Sequence, residues 1–171
     1  MRFFSVEWLS LNDEVDVDRV ISEYNEFLAG LSGKVGEKIR EFRNAHCIHD
    51  SLLDRLKVDT LRNVVEFDVV AGDNRQGYSL LGFRYIGARI VTCSVEDVAE
   101  ALDRRSSVVH YDEFDVVQDG NSSSKYVHRF LLWPTIRKEF GIEFHDFGFS
   151  VKPLDRRRYE TYGETFIPEE Y

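Results

Sequence analysis

Two short stretches hold the residues best able to do chemistry. Residues 46–50, HCIHD, carry His46, Cys47, His49 and Asp50, and the dipeptide His145-Asp146 repeats the motif later in the chain. Imidazole nitrogens and carboxylate oxygens are the ligand types of borderline transition ions, which need three or four of them to converge. His46, His49 and Asp50 with His145 and Asp146 therefore form a candidate metal set, with His110 or His128 as further ligands if strands bring them near. Such a centre would suit a metal-dependent hydrolase, with a carboxylate as ligand or general base. The same residues also have an ordinary structural use. They fall where a helical zone hands over to strands, where Asp accepts turn amides and His meets the negative end of a helix. That use takes precedence in the sequence, so no cofactor and no catalytic residue is assigned. Cys47 beside His46 does not make a nucleophile and base, because such a pair must meet in space.

Other chemistries are excluded more simply. GKVGEK lacks the Ser or Thr of a phosphate-binding loop, and the chain has no G-x-S-x-G, H-E-x-x-H, paired C-x-x-C or EF-hand loop. HD also marks a class of metal-dependent phosphohydrolases. Those are all-helical, whereas both dipeptides here lead into strand-like sequence.

Composition narrows the classes further. The chain has 171 residues, 43% hydrophobic and 13% aromatic, with 3 prolines, which suits one ordered domain over residues 1–171. The net charge is -9, from 22 basic against 31 acidic side chains. Such a surface repels phosphate backbones and anionic lipid, so nucleic acid and membrane are not expected partners, and a basic protein is. RRR at 156–158 is too short to reverse that. No apolar run reaches the roughly 20 residues of a membrane helix. The first residues do not read as a signal peptide, and two cysteines make no disulfide framework, which together place the chain in the cytoplasm.

The elements that must position the histidines read as follows. Val20, Ile21, Tyr24, Phe27, Leu28 and Leu31 recur at helical spacing, with Asp16 or Asp18 as N-cap and Gly30 or Gly33 as stop. GKVGEKIREFRNA predicts a second helix with Val35, Ile39 and Phe42 inward, completing a helical part over residues 1–45. Residues 46–152 change period. Val65, Phe67 and Val69 alternate with Glu66 and Asp68, and Leu81, Phe83 and Tyr85 alternate along a long strand containing Gly82 and Gly87. Residues 95–104 interrupt as a short helix capped by Ser94. SVVHYDEFDVV and KYVHRFLLW flank QDGNSSS as a hairpin, and EFGIEFHDFGFSV is a last strand. The apolar phase flips at Asp112-Glu113 and again at His145-Asp146, as at a bulge or where a strand changes packing surface. The fold class is α+β: two N-terminal helices on an antiparallel, strongly bent sheet of five to seven strands, with a partial barrel permitted. Residues 153–171 form a tail whose Tyr159, Tyr162, Phe166 and Tyr171 suit docking onto the body or a partner, so a homo-oligomer is compatible with it.

The order MRFFSVEW, HD after two helices, YDEF at 111–114, HRFLLWPT and a closing IEFHDF resembles a family of small bacterial proteins known only as a domain of unknown function. The resemblance covers nearly the whole chain. It implies helices followed by an aromatic-rich sheet, and it carries no catalytic residue over. The chain is more distantly similar to acidic immunity proteins of bacterial toxin systems, which implies binding to a basic partner. The expected function is a non-enzymatic protein-binding or accessory module. Tyr111, Asp112, Glu113 and Asp115 are its candidate surface groups, and Trp133 its aromatic anchor. A metal-dependent hydrolase and a self-associating structural protein are the alternatives.

Overall fold

A computed structural model describes residues 1–5, 8, 14–73, 77–104, 108–118, 124–133 and 138–154. Three helices and eight strands follow in the order α1 (Glu14–Gly30), α2 (Gly33–Ala45), β1 (Ser51–Asp59), β2 (Val64–Asp73), β3 (Gly77–Ile86), β4 (Arg89–Val91), α3 (Val95–Arg104), β5 (Val108–Gln118), β6 (Ser124–Trp133), β7 (Lys138–Phe144) and β8 (Asp146–Leu154). The expected α+β class stands. The sheet has eight strands, not five to seven, in the order β4-β7-β6-β5-β1-β2-β3-β8, and every described pairing is antiparallel.

The helices form where the apolar stripes fall. Tyr24 and Leu28 on α1, Leu31 just after it, and Ile39 and Phe42 on α2 are buried, and α1 ends at Gly30 as its composition predicts. Its start lies two residues ahead of Asp16, so Asp16 sits within the first turn and pairs with Arg19 instead of capping. Ser94 caps α3 as expected: its hydroxyl accepts from the Asp97 N–H at 3.1 Å, and Asp97 accepts from the Ser94 N–H at 3.2 Å. Val98 carries the buried face of α3, and Ala99 beside it is exposed. Among the described residues no helix is long and apolar enough to cross a membrane.

The sheet is two four-stranded halves joined by a narrow seam. Among the described residues β1 meets β5 only through Ser51–Val109 and Leu52–Val108. On either side of that seam the register slips, in β1 between Leu53 and Arg55 and in β5 between Val109 and Tyr111. Extra residues of this kind bend and twist a strand, so two of them beside a two-pair ladder turn one half over the other. The aromatic contacts follow: Phe67 of β2 lies 5.0 Å from Phe130 of β6, and Tyr85 of β3 lies 5.2 Å from Phe144 of β7. These strands are not neighbours in the ladder; their rings meet edge-on or tilted across the core. Phe42 of α2 fills the same space, against Phe83, Phe114, Phe147 and Phe149. No described ladder joins β4 to β8, so the sheet is not closed.

The phase flip at His145-Asp146 has its cause here. His145 is the single residue between β7 and β8, which belong to opposite halves. The expected long strand from 78 to 92 also breaks, at Gly87, where a φ of 62° turns β3 into β4. The His145 ring stands where a side chain at position 87 would go, so glycine is needed there twice over.

Candidate functional site

The seam between the halves gathers chemistry-bearing side chains. His49 and Asp50 close the connection between α2 and β1, and His110 stands at the register slip in β5. One ligand atom from each of His49, Asp50 and His110 lies within 4.8 Å of the others. His49 Nδ1 is 2.9 Å from one Asp50 oxygen, and His110 Nδ1 is 3.8 Å from the other. The Asp50 N–H donates to the Val109 carbonyl at 2.8 Å, which ties the connection to the strand next to His110. Burial pushes His110 below the ordinary imidazole range, and the neighbouring His49 adds to this against the pull of Asp50.

The remaining members of the sequence-derived metal set do not join. His46 follows α2, donating its N–H to the Phe42 carbonyl at 2.9 Å, and packs its ring on Phe42 and Phe149. His145 lies against Gly87 at the joint between the halves. Asp146 accepts from Lys38 at 2.7 Å and from the Phe147 N–H at 2.8 Å, and the Lys38 hydrogen bond holds its carboxyl below the usual range. The HD dipeptides are thus two separate junctions, and His110, sixty residues from Asp50, supplies the third ligand of the first.

The acidic set expected at the surface is largely interior. Asp112 is 5% exposed and Glu113 is fully buried, because β5 is covered on both faces. Consecutive strand residues point to opposite sides. Asp112 faces the aromatic core, where it accepts from Arg43 at 2.8 Å and bonds His128 Nε2 at 2.9 Å, while His128 Nδ1 lies 2.8 Å from the Tyr85 hydroxyl. An ionised carboxylate only accepts, so Nε2 carries the proton and Nδ1 accepts from Tyr85. Glu113 faces the other way and accepts from the backbone N–H groups of Arg2, Phe3 and Phe4. That fixes the first residues over the sheet, with Phe4 stacked on Tyr111 and Trp8 edge-on to it. Asp115 takes Arg129 at 2.6 Å. Trp133 ends β6 opposite Val108, and its side chain lies outside the described residues, as do Tyr159, Tyr162, Phe166 and Tyr171.

Arg43, Asp112, His128 and Tyr85 resemble a proton relay in composition, but its histidine and tyrosine are sealed in the core. Burial holds His128 below its ordinary range; the Asp112 bond opposes this, and Arg43 adds to it. Burial alone would raise Asp112, yet Arg43 and His128 outweigh it and hold the carboxyl low. Both depressions act on stability with the same sign. Below about pH 6.5, the unfolded histidine takes a proton that folded His128 refuses, so the unfolded state gains. Asp112 extends the loss as pH falls further, through its own depressed range. The calorimetric midpoint is therefore expected to fall steadily from pH 7 toward pH 4, and a flat profile would contradict a neutral, buried His128.

A shallow groove of about 380 Å³ crosses β1, β2, β3 and β8, lined by Arg55, Glu66, Asp68, Gly82, Arg84 and Ser150. Asp68 is bridged by Arg55, at 2.8 Å from both Nε and a terminal nitrogen. Gly82 lets the Asp68 carboxylate and the Ser150 hydroxyl approach the backbone. This pairing was not apparent in the sequence, where Asp68 reads as a solvated alternate position.

Comparison with protein-family models, curated proteins and solved structures finds no match to this chain, so its function is argued from its own geometry.

Proposed function

We propose that the protein is a non-enzymatic binding module that docks a protein partner at the end of the sheet where Leu61 projects. The observation that carries this is the 96% exposure of Leu61 on a backbone fixed from several sides. Asp59 accepts from the N–H groups of Leu61 and Arg62 at 3.1 and 3.0 Å. Asn63 takes a left-handed φ of 51°, and its carbonyl accepts from the Ala88 N–H at 2.7 Å. The His145 N–H in turn donates to the Ile86 carbonyl at 2.9 Å, so three turns are laced together at one end. A lone exposed leucine is ordinary. One held out on an ordered turn loses little further freedom when a partner covers it, which is what an anchor residue requires.

Val58 and Ile86, exposed on opposite faces of the strands that meet at that end, flank it with further apolar side chains. The net charge of -9 favours a partner of basic character, as in the immunity-like reading. A chain with two cysteines, Cys47 and Cys93, and so no disulfide framework, suits a reducing compartment such as the cytoplasm.

Leu61→Arg tests the reading. It touches no core contact, so the thermal midpoint is expected to stay within about 1–2 °C of the parent, a surface change being worth under about 0.5 kcal/mol. Proteins cross-linked to the parent chain in a host extract should be lost with the variant. An identical set with both chains would overturn the proposal. A fall in the parent's own solution mass on substitution would identify the partner as a second copy.

A further inference from the structure

We infer that His49, Asp50 and His110 form a binding site for one divalent first-row transition ion of the Zn²⁺ type. This goes beyond partner docking at Leu61 and does not depend on it. Two imidazoles and one carboxylate are a mixed nitrogen and oxygen set. Mg²⁺ and Ca²⁺ take shells built of oxygen, whereas zinc-type ions accept imidazole readily.

The distances suit such an ion. Tetrahedral coordination at about 2.0–2.2 Å places neighbouring ligand atoms roughly 3.3–3.6 Å apart. His49 Nδ1 stands 2.9 Å from one Asp50 oxygen and His110 Nδ1 3.8 Å from the other, on either side of that value, and one ligand atom from each residue lies within 4.8 Å of the others. The three side chains therefore start within reach of one shared ion. The backbone is already set: Asp50 adopts a φ of 58°, in the left-handed region that Asp enters more readily than most residues, and its N–H is tied to Val109. Tyr111 lies edge-on to both imidazoles, with ring centroids 4.8 Å from His49 and 4.7 Å from His110, and so walls one side.

Exposure favours the same reading. Asp50 is 66% exposed and His49 37%, so a solvated ion reaches them without opening the fold. Three protein ligands leave at least one coordination position to water, an open site rather than a closed structural one. The ligands come from both sides of the two-pair seam, so an ion would join β5 to the connection that leads into β1. Binding only to the native arrangement, it would also raise thermal stability.

The test is calorimetric titration of the full chain, stripped with chelator and dialysed, with Zn²⁺ and in parallel with Mg²⁺. The expected result is one saturable Zn²⁺ site, no Mg²⁺ heat, and a higher thermal midpoint with Zn²⁺. His49→Ala and His110→Ala should each weaken Zn²⁺ binding at least tenfold, while His145→Ala leaves it unchanged. Circular dichroism of the metal-free variants checks their folding. In the parent, imidazole ¹⁵N resonances of His49 and His110 should move on Zn²⁺ addition, and those of His46 and His145 should not, which reads the site without any substitution. Absence of saturable Zn²⁺ binding would overturn the inference. So would parent-like affinity in folded His49→Ala and His110→Ala, or ring shifts at His46 and His145 instead.

Discussion

Asp112→Ala is expected to destabilise the protein by about 3–5 kcal/mol, the range for breaking one side of a buried ion pair. The substitution removes the acceptor shared by Arg43 and His128. It leaves a guanidinium with only 22% side-chain exposure and an imidazole N–H with no partner in an aromatic core. The imidazole cannot recruit water without disturbing Phe42, Phe114 and Phe130, whose rings pack against it. In a chain of this size the thermal midpoint should drop by about 6–20 °C, at roughly 2–4 °C per kcal/mol. Urea denaturation measures the change directly. A loss below about 1 kcal/mol would mean that the polar chain is solvated rather than sealed. Replacing Arg43, Asp112 and His128 together by apolar residues of similar volume should be much less damaging than Asp112→Ala alone, because it removes the desolvated charges with their partners.

Glu113→Ala is expected to cost roughly 2–4 kcal/mol, by a different route. It strips an acceptor from three backbone N–H groups at once, those of Arg2, Phe3 and Phe4. The loss is capped, because the first residues can leave the sheet and rehydrate. Amide exchange at residues 2–4 should therefore quicken by orders of magnitude while β2 and β3 stay protected. Uniform loss of protection across the sheet would show that this segment does not open on its own. Glu113→Gln keeps one acceptor oxygen and should fall between the parent and the alanine variant.

The contrast between these carboxylates marks how far the sequence could be read. The helix over 33–45 and its stripe of Ile39 and Phe42 follow from spacing alone, as do the alternating faces of Val65, Phe67 and Val69 and of Leu81, Phe83 and Tyr85. These signals are local. β1 gave no such pattern, because its register slips between Leu53 and Arg55: Leu53 joins the main core, while Leu52 packs with Val70, Tyr78 and Val108 in a separate cluster. Adjacent leucines then break the alternation that would have marked a strand. Asp112 and Glu113 read as surface groups because acidic residues in a strand normally are. Their partners, Arg43 and the N–H groups of residues 2–4, lie far away along the chain and carry no local mark. His49 and Asp50 were legible as candidate ligands from their types. Their convergence with His110 depends on a bulge, which the phase flip in this strand signals but places at Asp112-Glu113, whereas the slip lies between Val109 and Tyr111.

The one-residue link at His145 has a consequence for synthesis on the ribosome. β8 is the strand that pairs along the length of β3, yet it belongs to the last part of the chain described, beyond all of β4 to β7. At ordinary translation rates the roughly 60 intervening residues take about 3–12 s to emerge. For that interval one edge of β3 stays unpaired, beside Leu81, Phe83 and Tyr85, an alternating apolar row of the kind that recruits foreign strands. The nascent chain is thus most open to misassembly after β3 has formed and before β8 arrives, and chaperones that shield strand edges would matter most in that window.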